Sequence, residues 1–168
     1  MLKFAQWLEE VSIQQLPGEI GPAINLTAYH GTLGNFQSFD ISKLGSTTDF
    51  GTLGAGIYLS SDREVAASYA RMAYKKHMPE TSPRMMTVQV NLQKPFYVDA
   101  RNRVLRNHFE GDAKQQSVAL TNIMKANGVD AIILTPDNTE ICVFDPSKIK
   151  IVDNAEMERP AVRQPRRM

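Results

Sequence analysis

The stretch GAGIYLSSDREVAASYA, Gly54–Ala70, sets a glycine-rich turn before a short apolar strand holding one tyrosine, and then a helix carrying a second. The preceding residues extend the turn to GTLGAG, with glycines at 51, 54 and 56. That spacing, G-x-x-G-x-G, is the reverse of the dinucleotide fingerprint, and it precedes a strand instead of following one, so it is not built to present a helix N-terminus to a pyrophosphate. A phosphate loop is excluded as well, since the chain has no Gly-Lys-Ser/Thr triplet. Ser61 and Glu64 have the Ser-x-x-Glu spacing of a capping box. Val65, Ala66, Tyr69, Ala70 and Ala73 then form one apolar face, which should turn Tyr69 inward.

Outward from this stretch, INLTAYH reads as a strand ending at His30, joined to the glycine turn by a long Gly/Ser/Thr-rich connection over 31–53. Loops of that length in compact domains are usually functional or disordered. MMTVQVNL alternates as a strand does, and KPFYVD continues it after Pro95. Residues 114–126 suit a helix with Val118, Ala119, Ile123 and Ala126 on one side, stopped by Asn127–Gly128. VDAIIL, TEICVFD and SKIKIVD are three further strands. The TPDN turn between the first two is too short for a helical crossover, so that pair should be an antiparallel hairpin. At the start of the chain, Leu2, Trp7, Leu8 and Val11 outline a short helix within residues 1–16, broken by PGEIGP.

About six strands and three helices that do not alternate regularly predict an α+β fold with mainly antiparallel sheets. A chain of 168 residues with 42% hydrophobic residues supports one core, so residues 1–158 should form a single domain. The last ten residues, 159–168, hold four arginines and two prolines and should be a basic disordered tail.

The net charge of +1 argues against an obligate nucleic-acid or membrane partner. Charge is unevenly spread, net −4 over 1–70, +5 over 71–114, −4 over 115–158 and +4 in the tail, so the basic segments are candidate partner surfaces. The single cysteine, Cys142, lies in the apolar run EICVF and reads as a buried, inert thiol. His30, His77 and His108 form no H-x-x-x-H pair, so the pattern supplies no metal site. No apolar run approaches the ~18 residues of a membrane span, and the acidic N-terminus is unlike a signal peptide. A cytoplasmic location, in the producing cell or a host, follows as the expectation.

Three anchors fall in a telling order: YHGT at 29–32, the Tyr58-to-Tyr69 stretch at 54–70, and EICVFD at 140–145, which puts Glu140 at the start of a late strand. This order resembles the H-Y-E ADP-ribosyltransferases of the diphtheria-toxin and poly(ADP-ribose) polymerase type, especially the small bacterial and phage versions in polyvalent proteins. The resemblance spans roughly residues 26–153 and implies a split, mainly antiparallel sheet core. It implies NAD as co-substrate, without a metal. Tyr58 and Tyr69 would stack on the cationic nicotinamide, each face contributing about 0.5–2 kcal/mol. Gly31 would grip the carboxamide through its backbone, His30 would bond the adenosine ribose, and Thr32 would add polar contacts. Glu140 would stabilise the oxocarbenium-like centre and serve the acceptor.

Two departures stand out. Many members carry serine three residues before the second tyrosine, where this chain has Ala66, so one carboxamide bond would be missing or supplied by another residue such as Ser68. Arginine-modifying relatives carry Glu or Gln two residues before the catalytic Glu, where this chain has Asn138, which argues against an arginine acceptor. The resemblance therefore implies mono-ADP-ribosylation of a macromolecule, with protein favoured over nucleic acid as acceptor. The alternatives are ADP-ribosylation of RNA or DNA, NAD glycohydrolysis, and a non-catalytic NAD- or ADP-ribose-binding module.

Overall fold

The structure, a computed structural model, describes residues 11–40, 51–77 and 80–161. Most of the N-terminal helix expected over 1–16, and most of the tail, lie outside these residues. Of the former, only a 3-10 turn at Ile13–Gln15 is described.

Among the described residues, eight strands make two sheets. In chain order they are β1 (Glu19–Ile20), β2 (Ile24–Thr32), β3 (Ile57–Leu59), β4 (Arg84–Leu92), β5 (Pro95–Asp99), β6 (Ala131–Thr135), β7 (Ile141–Val143) and β8 (Ile149–Glu156). Two helices accompany them, α1 (Arg63–His77) and α2 (Ala113–Ala126). The five-stranded sheet runs β1-β5-β6-β7-β3 and the three-stranded sheet β2-β4-β8, with every pair antiparallel except β5 and β6. The fold is α+β with mainly antiparallel pairing, as expected. Two substantial helices occur among the described residues, in place of about three.

The β6–β7 hairpin forms as the TPDN turn requires. The reading of KPFYVD as a continuation of the preceding strand is corrected: β4 belongs to the small sheet and β5 to the large one. The chain switches sheets at Gln93–Lys94, where the Asp130 carboxylate accepts both backbone N–H groups, at 2.7 and 3.2 Å. Sequence alternation carries no mark of such a corner, because both halves are strands and only a distant carboxylate fixes the bend.

The sheets pack face to face. Ala28 of β2 and Met86, Val88, Val90 and Leu92 of β4 meet Ile57, Leu59, Ala131, Ile133, Ile141 and Val143. The other face of the large sheet packs Phe96, Val98, Ile132 and Leu134 against Leu120 and Met124 of α2. β6 is thus covered on both faces, which is why it reads as an unbroken apolar run. At one corner the sheets are stitched together, as Tyr29 and Ser60 exchange N–H···O bonds of 2.8 and 3.0 Å. This corner brings the end of β2 beside the end of β3.

Two helix faces differ from expectation. On α1 the buried residues are Ala66, Ala67, Ala70 and Tyr74, whereas Tyr69 is 52% exposed. The reason is the close approach of β2: a Cβ at Gly31 would lie 2.0 Å from the Ala66 carbonyl oxygen, so only small side chains can face that strand. Tyr69 faces outward. The capping box is also replaced. Asp62 caps α1 by accepting the Glu64 N–H at 2.9 Å, and the Ser61 hydroxyl instead donates to the Asp137 carbonyl at 2.7 Å. On α2, Ser117, Ala119, Leu120, Thr121 and Met124 are buried and Val118 is 43% exposed.

Candidate active site

The glycine turn holds Tyr58 from above. Its phenol donates to the Gly54 carbonyl at 2.7 Å and accepts the Leu53 N–H at 3.0 Å. A Cβ on Gly51 would sit 1.9 Å from that hydroxyl oxygen, so the ring and the turn fit only with glycine there. Gly54 has φ +103°, a left-handed conformation that side chains resist. The turn is anchored from below by α2, where the Thr121 hydroxyl accepts the Ala55 N–H at 2.8 Å and the Ser117 hydroxyl donates to the Gly51 carbonyl at 2.9 Å. Ser117 and Thr121 stand one helical turn apart, and reading for apolar residues alone passed over them. Burial pushes the Tyr58 phenol far above its ordinary range, so it is neutral and acts as a hydrogen-bonding group. Cys142 pairs with Tyr58 across β3 and β7 and is fully buried, its thiol pushed up by desolvation. That is the inert thiol the sequence suggested.

His30 lies at the stitched corner. Its Nδ1 is 2.8 Å from the Tyr58 carbonyl oxygen, and because a carbonyl only accepts, Nδ1 carries the proton. Burial lowers the imidazole's pKa, which favours the neutral ring and leaves Nε2 as an acceptor. Phe39 meets the ring edge-on with centroids 5.0 Å apart, and Phe36 packs on Phe39 at 5.1 Å. The histidine is therefore held in one tautomer and one orientation.

Glu140 immediately precedes β7, where its carbonyl accepts the Leu134 N–H at 3.0 Å. The approach to it passes through Asn138, whose φ of +53° and whose bonds to Leu134 and Ser61 tie the 136–139 turn to the start of α1. Desolvation raises the Glu140 pKa, while the Arg103 cation and the Thr52 side chain pull it back down. Burial raises the Tyr69 phenol, as it does that of Tyr58; the charge of Glu140 raises both further, and Arg103 opposes it at Tyr69. Glu140 thus shares one electrostatic neighbourhood with both tyrosines, although the three come from different elements. Thr52 and Arg103 were not singled out from the sequence. Thr52 lies inside the glycine motif, but Arg103 gives no signal beyond belonging to the basic middle.

The remaining candidates have packing duties. Gly31 lies against the Ala66 carbonyl and the Ala70 Cβ, and Ala66 is buried with Ala67 and Met85. The Thr32 hydroxyl accepts the Gly34 N–H at 3.0 Å. Ser68, the suggested stand-in for a serine at 66, donates to the Val65 carbonyl at 2.6 Å on the exposed side of α1. Among the described residues no group of three His, Cys, Asp or Glu side chains is placed to hold a metal ion, and no helix is long and apolar enough to cross a membrane.

No curated protein matches the sequence. Among solved structures, one of the M. tuberculosis MbcT–MbcA toxin–antitoxin complex is similar in fold, with 13% identity, 83% of this chain and 87% of that chain covered, and a TM-score of 0.53. The family model for the ADP-ribosyltransferase in polyvalent proteins matches residues 24–158, from the first residue of β2 to just past β8, so that His30, Tyr58, Tyr69 and Glu140 all fall within it. The chain belongs to that family and is an enzyme of the ADP-ribosyltransferase class.

Proposed function

We propose that the chain cleaves NAD at the bond between nicotinamide and ribose, within a slot bordered by Tyr58, Tyr69 and Glu140. The observation that supports this most is the clustering of a partly desolvated carboxylate with two phenols drawn from separate elements. A flat cationic ring suits such a place, since aromatic faces and a nearby anion both favour it. Tyr58 forms the fixed wall and Tyr69 the rim. His30, presenting Nε2 as an acceptor, takes a hydrogen bond from a ribose hydroxyl of the adenosine half. The backbone of Gly31 pairs with the carboxamide.

In the reaction the bond from ribose C1′ to the pyridinium nitrogen breaks, and its electron pair neutralises the ring, which leaves as nicotinamide. The positive charge that grows on C1′ and the ring oxygen is stabilised by the Glu140 carboxylate, bonded to the ribose hydroxyl beside it. An incoming nucleophile then bonds to C1′, and its proton passes to Glu140. With water the products are ADP-ribose, nicotinamide and a proton, which makes the chain an NAD glycohydrolase. With a protein or nucleic-acid hydroxyl or amine the same step yields a mono-ADP-ribosylated acceptor, and a carboxylate adds to C1′ with no proton to give up. Hydrolysis is the simpler reading, because it asks nothing of the chain beyond the slot. The fold shared with one member of a toxin–antitoxin complex supports a toxin-like effector held by a protein partner.

The test is nicotinamide release from NAD by wild type and Glu140→Gln. Loss of about 100-fold or more in the variant is expected. Equal slow consumption by both would end the enzymatic reading. Free ADP-ribose as the sole product supports hydrolysis, and mass additions of ADP-ribose to lysate protein or RNA would identify transfer.

A further inference from the structure

A row of side chains crosses the small sheet from the candidate site to its far edge. His30 of β2 pairs with Met86 of β4, and Met86 in turn with Asn154 of β8. Residues directly opposite across antiparallel strands share a face, so all three lie on the side where Met86 joins the core between the sheets. Asparagine holds its place there because of a bulge. Val90 and Val88 pair with Ile149 and Ile151, and strict alternation would bring Asp153 next. One extra residue at Val152 shifts the parity, so that Asn154 turns inward instead. The Arg84 Nε then donates to the Asn154 Oδ1 at 2.7 Å, and its Nη2 to the Asn154 carbonyl at 3.2 Å. A guanidinium only donates, which fixes the amide orientation and presents Nδ2 to the segment that follows β2. Nδ2 donates to the Asn35 Oδ1 at 3.1 Å, with the Phe36 carbonyl at 3.4 Å. That segment, fixed at its start by the Thr32–Gly34 bond, brings Phe36 and Phe39 over His30, with ring centroids 6.4 and 5.0 Å from the imidazole.

We propose that Asn154 is a positioning residue for His30, latching residues 35–36 so that Phe39 holds the imidazole in the orientation that receives the adenosine ribose. The two side chains stand two strands apart, roughly 10 Å, so the effect passes through the segment and not by contact. Apolar packing is non-directional and would let two phenylalanines slide over the sheet, whereas a hydrogen bond fixes where they sit. Arg84, with a side chain only 17% exposed and also 3.5 Å from Glu156, holds the latch from behind. The inference rests on the proposed NAD reading for its effect on binding, but the placement of His30 can be read without NAD.

The test reads the carbon-bound ring protons of His30 by 1H–13C NMR, with His30→Gln assigning its signals among the three histidines. The ring currents of Phe36 and Phe39 displace these signals from the positions of a free imidazole. Its arms are wild type, Asn154→Ala, Asn154→Asp and, at an exposed position of β8, Lys150→Gln. In Asn154→Ala the signals should move towards the free positions, and KM for NAD should rise about 3- to 10-fold with kcat within about twofold. Asn154→Asp keeps Arg84 paired, and the Asn35 amide can turn over to donate to the new carboxylate, so both readouts should fall between alanine and wild type. Lys150→Gln should match wild type. His30 signals at their wild-type positions in Asn154→Ala, an equal displacement in Lys150→Gln, or a loss carried by kcat with KM unchanged would overturn the proposal. If the alanine variant does not fold, Asn154→Asp decides the question, and unmoved His30 signals with unchanged KM there overturn it. If wild type consumes no NAD, the functional reading fails while the NMR signals still decide the role of Asn154.

Discussion

The two tyrosines proposed as the walls of the slot are held in opposite ways. Tyr58 is locked, its phenol bonded twice to a glycine turn that Ser117 and Thr121 of α2 hold from below. Tyr69 stands 52% exposed on α1, a helix fixed to the sheet by alanine and glycine contacts that do not touch its ring. A stacking pair does not need two rigid plates. On the proposed reading, the wall fixed by polar bonds sets the ring plane and the exposed Tyr69 covers the ligand. Stability and binding should therefore separate between the two walls, and substitutions can expose the separation.

The largest effect is expected where α1 meets β2. Gly31→Ala places a methyl against the Ala66 carbonyl, backbone against backbone, and should cost about 3 kcal/mol or more. Gly128→Ala, at φ +73° with only the Lys94 side chain within reach, should cost about 1–2 kcal/mol from conformation alone. Chemical denaturation of the two variants measures the difference. Equal losses would show that the helix is not seated as tightly as the geometry requires.

Next comes the pair itself. Tyr58→Ala removes a half-buried ring and two hydrogen bonds and should destabilise by about 3 kcal/mol. Tyr69→Ala should leave stability within about 0.5 kcal/mol while raising KM for NAD roughly 3- to 30-fold, the worth of one stacked face. Thermal melts and steady-state kinetics on both variants check this. A Tyr69→Ala protein that melts well below wild type would erase the contrast.

The smallest expected effect concerns stability and pH. A carboxyl whose folded pKa is raised favours folding fully below its unfolded value, and that contribution is lost as pH rises through the folded pKa. Glu140→Gln should therefore match wild type near pH 4 and melt above it by pH 8, the gap growing between. A site that costs stability in its active charge state is common where chemistry needs a desolvated carboxylate. A gap that narrowed with rising pH would contradict the burial of Glu140.

Much of this was legible in the residues. The β6–β7 hairpin followed from turn length, and the order of His30, Tyr58, Tyr69 and Glu140 pointed to the family. What escaped reading depended on contacts far along the chain. The corner at Gln93–Lys94 rests on Asp130, the true face of α1 on the approach of Gly31, and the electrostatics of Glu140 on Thr52 and Arg103. Periodicity reports that a helix is amphipathic, but alanine can face either side. Only the neighbouring strand decided that alanines, and not Tyr69, faced inward.

The most direct measurement is a crystal structure of Glu140→Gln soaked with NAD, since the variant should hold the uncleaved molecule. The account predicts the nicotinamide ring between Tyr58 and Tyr69, its carboxamide against the backbone of Gly31, and the ribose C1′ facing residue 140. NAD lodged elsewhere, such as the groove of about 670 Å³ between Pro17, Gly18, Tyr97 and Asn102, with the two tyrosines untouched, would contradict it.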